Sequence, residues 1–398
     1  MPSVRRHLLP FSALSASYFA HIGFFNPYLP LWLKDRGYSL LVISLLTAVP
    51  AVTRLVGPYA WGALSDHTGE RVKLLRYAAT TALIVSLGLW VEAGVAWLAG
   101  VLFLMFLHTS AMMPMSEAAM AHLVSAGGAF DAKRYGRVRL WGSLGFLVTV
   151  FTAGAWFEHY GMGHFPAWTV VSMALVVGCV WWLPDLKEEL HPHEQKRPLL
   201  PILRQRPVQW FFASAFFHVL AHMGVYIYFS LHLDALGYSK TVIGLMWGIS
   251  VVVEIVWFYT QSRWLPLISL SGWLLLCAAL TVLRMGMTAG GAALWPVLLL
   301  AQCLHAFTFA AHHAVCIALL SHHFPGSLRG RGQALYTVLA YGVPGVLGGL
   351  AGGLLTSHLG LASVFWAGLV CAALATFSAW QVWRHLHGPV ARISGRRN

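Results

Sequence analysis

Charge is what this sequence has least of. Asp, Glu, Lys and Arg make up only 10% of its 398 residues, and the acids number 13. A soluble globular chain carries about 25% charged residues, so water is excluded as the main solvent. Cysteine is scarce as well. The five, at positions 179, 277, 303, 316 and 371, are odd in number and form no Cys-x-x-Cys pair. A disulfide framework is excluded, and neither a metal site nor a cofactor is expected. There is no catalytic serine elbow, metal-ligand cluster or phosphate-binding loop, so the sequence does not read as an enzyme.

What the sequence has in abundance is long apolar runs. Roughly 20 apolar residues cross a bilayer as a helix. Twelve such runs are predicted, at 9–33, 40–65, 74–94, 97–124, 138–157, 165–183, 208–233, 241–262, 265–288, 293–321, 332–356 and 362–384. A β-barrel would need strands of about 10 residues with alternating polarity, and these runs are continuously apolar. The first run is too long for a secretory signal and leads straight into the second. It is expected to remain as a span.

The formal charge of +13 could suggest a nucleic-acid partner, but the placement of the cations argues against it. With the N-terminus inside, 21 of the 26 Lys and Arg fall on the inner side. Only Lys34, Arg36 and Lys240 fall outside, and Arg54 and Arg284 lie within spans. That asymmetry is the positive-inside rule, with both termini cytoplasmic. Lys133, Arg134 and Arg137 are expected to hold the loop before the fifth run on the cytoplasmic side.

The polar stretch 185–206 separates six runs from six. Residues 28–56 and 228–256, compared at a constant offset of 200, share 11 of 29 residues, including an entire Gly-Tyr-Ser. A duplicated six-helix half is therefore expected, with halves at 1–184 and 207–398 joined by a cytoplasmic linker. The same offset aligns two buried charges, Arg54 and Glu254. Between the second and third runs, GALSDHTGERVK places Gly62, Asp66, Gly69 and Arg71 in a pattern that resembles the major facilitator loop signature. Gly62 would allow close helix contact and Gly69 a tight turn. Asp66 would accept hydrogen bonds from a helix N-terminus and from Arg71. The resemblance implies an all-α membrane protein. Twelve helices would form two six-helix pseudo-repeats around a central cavity and work by alternating access.

Charge at membrane depth costs about 3 kcal/mol on insertion scales, so it tends to be paired and functional. The candidates are Arg54, Glu117, Glu254, Arg284 and His305, with Arg139 near the start of a span. PMSEAA at 114–119 and YGRVRLWGS at 135–143 resemble spans 4 and 5 of the lactose permease-like proton symporters. Leu304, His305, Thr308, Phe309 and His312, with Val-Val-x-Glu ending at Glu254, resemble the 3-phenylpropionate permease-like branch more closely. The resemblance implies that Glu117, Arg139 and Glu254 contact substrate. It also implies that Arg284 and His305 are tied to proton coupling. An acid among Glu117 and Glu254 is expected to take the proton, and Arg139 or Arg284 to meet a substrate carboxylate. Thr308 stands where the lactose permease-like proteins carry an acid, so this chain cannot use that carboxylate.

Other side chains have plainer roles. Tyr28, Phe25, Trp32 and Trp247 could line an aromatic pocket or sit against lipid. His218 and His222, one helical turn apart, are expected to be core hydrogen-bonding groups, and Arg54 is expected to have a structural partner. The expectation is a monomeric proton-coupled symporter in a bacterial inner membrane, importing a small organic solute of the aromatic-acid type. A sugar or nucleoside symporter is the alternative. An efflux antiporter is weaker, because the Gly-Pro-rich stretch YGVPGVLGGLAGG lies at 341–353, on span 11 and not on span 5.

Overall fold

The computed structural model describes residues 2–124, 132–185, 198–325 and 328–387. It contains twelve helices long and apolar enough to cross a membrane. In chain order these are α1 (Leu8–Asp35), α2 (Leu40–Ser65), α3 (Arg71–Trp90), α4 (Gly94–Glu117), α5 (Val138–Tyr160) and α6 (Met162–Trp181). The second six are α7 (Arg206–Ala235), α8 (Lys240–Leu267), α9 (Leu270–Gly291), α10 (Trp295–His323), α11 (Gly330–Leu359) and α12 (Ser363–His387). No strand occurs among the described residues. Most of the 185–206 linker, and the loop side of the Lys133–Arg137 cluster, lie outside them.

The chain divides into two compact units. One comprises Met1–Pro192 with Gly237–Gly248; the other comprises His193–Leu236 with Ile249–Asn398. The first turns of α8 therefore pack with the first unit and the rest of α8 with the second.

Each unit uses the same scheme. In the first, α1 packs on α5 and α6, and α3 packs on α4 and α6. In the second, α7 packs on α11 and α12, and α9 packs on α10 and α12. Where helices share no hydrophobic drive, close approach needs small residues. Gly145 of α5 meets α1 so closely that a Cβ there would lie 2.1 Å from the Ala16 carbonyl oxygen. Tyr28 of α1 and its repeat partner Tyr228 of α7 are both fully buried. Tyr228 faces Gly352 of α11, where a Cβ would come within 2.7 Å of the ring.

The shared Gly-Tyr-Ser makes the same turn twice. Gly37 and Gly237 adopt φ of 81° and 84°, a region glycine enters without steric cost. Ser39 Oγ then accepts from the Val42 N–H at 3.4 Å and Ser239 Oγ from the Val242 N–H at 3.3 Å. Each serine thereby caps the next helix.

Three spans depart from the uninterrupted helices the sequence suggests. Span α4 breaks at Ser110 and Ala111 and restarts at Met112. Span α10 holds a π-helical segment at Ala306–Ala311, and α11 holds one at Thr337–Gly342. Pro344 follows the second. It has no N–H and crowds the preceding turn, so the wider register relieves a bend built into the sequence.

Candidate functional site

Each unit carries its own intramembrane charge cluster. In the first, the restart of α4 places Glu117 beside Arg139 of α5. Arg139 Nη1 donates to Glu117 Oε1. The side chains are 48% and 28% exposed for arginine and glutamate, so this pair is open at one side. The Arg139 guanidinium also sits 5.8 Å over the Phe19 ring of α1, a cation–π contact. Tyr18, edge-on to Phe19 at 5.5 Å, donates to the Thr109 carbonyl oxygen just before the α4 break at 3.4 Å.

The second cluster is more enclosed. Arg284 of α9 is only 1% exposed. Its Nη1 donates to His305 Nδ1 at 3.1 Å and to Thr308 Oγ1 at 2.9 Å. A guanidinium has donors only. His305 Nδ1 must therefore present a lone pair, and the ring proton of the neutral imidazole sits on Nε2. That nitrogen lies 3.6 Å from Glu254 Oε2 of α8. The sequence Glu254–His305–Arg284–Thr308 is thus one polar chain, with the acid at its more open end and the arginine and threonine at its closed end. A protonated His305 would turn Nδ1 into a donor facing a donor. The ring therefore relays contact between acid and arginine while it stays neutral.

Thr308 joins a further set of rings. Its carbonyl oxygen accepts from His218 Nε2 at 2.7 Å. The His218 ring stacks on His312 with centroids 3.5 Å apart and planes 5° from parallel. His222 Nδ1 donates to the His218 carbonyl oxygen at 2.8 Å. Both α7 histidines are buried in hydrogen-bonding positions. Ser250 of α8 donates to Gln302 of α10 at 2.7 Å, a polar contact that no motif in the sequence marked.

Several residues sit elsewhere than expected. Tyr28 is sealed against Phe157, its hydroxyl 3.1 Å from both the Val150 and the Lys240 carbonyl oxygens. Trp32 stacks on Phe165 at 5.1 Å, and Phe25 is fully buried. These three are packing groups in this structure, whereas Trp247 is half-buried. In the loop after α2, Gly69 caps the helix with φ 66° and donates to the Ser65 carbonyl oxygen. Arg71 Nε donates to Ser65 Oγ at 3.0 Å. The side chain of Asp66 lies outside the described residues. At Gly62 a Cβ would meet no described atom within 4 Å. Arg54 is exposed where a buried charge was expected, and its expected structural partner is not found among the described residues. No described residue pairs with it or hydrogen-bonds to it.

A sequence profile described as the MFS_1 like family matches residues 12–367. The chain belongs to this major facilitator family. It is a membrane transporter with twelve spans. Its sequence is 27% identical over 366 residues to a probable 3-phenylpropionic acid transporter of Escherichia coli K12, covering 91% of this chain and 94% of that protein. It is 25% identical over 280 residues to a maltose permease of Geobacillus stearothermophilus, covering 70% of each. Among solved structures it superposes on a variant of the nucleoside transporter NupG with a TM-score of 0.81 at 14% identity, over 94% of this chain and 98% of that one. That likeness speaks for the fold. Each of these proteins is a transporter and none is an enzyme.

Proposed function

We propose that this major facilitator protein is a proton-coupled symporter importing a 3-phenylpropionate-like aromatic acid across a bacterial inner membrane. The observation that carries the coupling is the Glu254–His305–Arg284 chain, with Glu254 partly exposed and Arg284 sealed. Protonating Glu254 removes the negative charge that faces His305 Nε2 and leaves the buried arginine without a counter-charge in the chain. Proton binding there is therefore coupled electrostatically to the arrangement of α8, α9 and α10. Glu117 and Arg139 form the second element, an ion pair that an incoming polar group can reach from its open side. The aromatic-acid class is supported by the 27% identical transporter and by the motifs shared with that branch. No cofactor beyond the proton gradient is needed, and a monomer with both termini cytoplasmic suffices.

A sugar is the second reading, favoured by the 25% identical maltose permease and by a Glu117–Arg139 pair suited to hydroxyl ligands. Uptake of labelled 3-phenylpropionate and maltose into proteoliposomes under an imposed inward proton gradient separates the two. The expected result is gradient-dependent uptake of the aromatic acid, abolished in Glu117→Gln and in Glu254→Gln. Gradient-dependent uptake of maltose alone would replace the substrate class. Uptake indifferent to the gradient would remove the coupling.

A further inference from the structure

Three arginines are candidates for charge at membrane depth, and two are already engaged. Arg139 faces Glu117, and Arg284 is sealed between His305 and Thr308. Arg54 is the third. It lies near the middle of α2, too deep for its side chain to be explained by the membrane surface. It is exposed, and among the described residues it makes no ion pair or hydrogen bond.

Exposure in a membrane helix has two meanings, lipid or water, and the helix itself distinguishes them. The exposed apolar side chains Leu45, Val52, Val56 and Tyr59 fall on one stripe of α2 at 3.6 residues per turn. That stripe is the lipid face. Arg54 projects from the opposite side, roughly half a turn away. The buried positions Ile43 and Gly57 lie on that side of the helix. An unpaired guanidinium cannot rest against hydrocarbon, and it does not point there. It faces the protein side of α2. A free fork of donors at membrane depth, facing away from lipid, fits a planar anion.

We propose that Arg54 is the residue that binds the substrate's carboxylate. The inference rests on the proposed aromatic-acid function and names the group that would recognise its charge. It separates two tasks: Glu254, at the repeat-equivalent position, handles the proton, and Arg54 handles the anion. Selectivity for an acid over its neutral analogues then follows from α2 and needs no counter-ion from the engaged arginines.

The test is calorimetric binding to purified protein, with 3-phenylpropionate and its uncharged amide as probes. Wild type, Arg54→Gln and Arg54→Lys are compared. The expected result is a loss of about 10–100-fold in affinity for the acid in Arg54→Gln. Amide affinity should be unchanged, and Arg54→Lys should recover part of the loss. Among the described residues Arg54 makes no ion pair to break, so both variants should fold, and the retained amide affinity checks this. Equal acid affinity in wild type and Arg54→Gln would overturn the inference while leaving the substrate class standing. Equal losses for acid and amide would also overturn it, by making the role structural. No binding of either probe by wild type would instead remove the aromatic-acid reading, and the inference with it.

Discussion

At the scale of single residues, the site turns on where one proton sits. Arg284 fixes the lone pair of His305 at Nδ1, so ¹⁵N spectra of ring-labelled protein should show His305 as the Nε2-protonated tautomer. An Nδ1-protonated ring would contradict the geometry. Thr308 accepts the other hydrogen of the same Nη1. Thr308→Val leaves a buried charged donor unsatisfied and should cost about 1–3 kcal/mol of stability, read as a lowered thermal midpoint in detergent. An unchanged midpoint would show that water replaces the hydroxyl. Much of this cluster was legible beforehand. Glu254, Arg284 and His305 are polar groups in apolar runs, and Glu117 and Arg139 carry a motif. The stacking of His218 on His312 was not legible, since it joins rings 94 residues apart and nothing local announces it. Tyr28 shows the opposite limit: an aromatic residue in a span looks the same in sequence whether it lines a pocket or fills a core.

At the scale of helices, spacing between spans sets what each glycine does. Gly145→Ala drives a Cβ into the Ala16 backbone and neither helix can yield cheaply, so stability should fall by about 1–3 kcal/mol. Gly62→Ala meets only open space and should leave the midpoint unchanged or slightly raised, because alanine favours helix. Thermal unfolding of the two variants side by side checks the contrast, and equal effects would mean that the α1–α5 contact is not what limits stability. The helices themselves were readable from length and hydropathy, and the repeat was readable from the shared Gly-Tyr-Ser. The π segments were not. A stretch such as Ala306–Ala311 satisfies the same apolar pattern as an α-helix, and the extra residue per turn shows only in how His305, Thr308 and His312 share their partners.

At the scale of the whole chain, twelve crossings return the C-terminus to the side of the N-terminus. A fluorescent reporter fused after residue 398 should therefore glow in bacterial cells. A periplasm-dependent phosphatase fused there should be silent, and an active one would overturn the orientation read from the Lys and Arg count. The duplication has its own arithmetic. Each half crosses six times, an even number, so a second copy joined end to end enters the membrane in the same sense as the first. No inversion or added crossing is needed for the turns at Gly37 and Gly237 to recur with φ of 81° and 84°. An ancestor with five or seven crossings could not have been doubled this way. It would have produced an inverted pair, with Arg54 and Glu254 approached from opposite faces of the bilayer. Even parity is what keeps Arg54 and Glu254 at equivalent positions of two halves that run in the same sense.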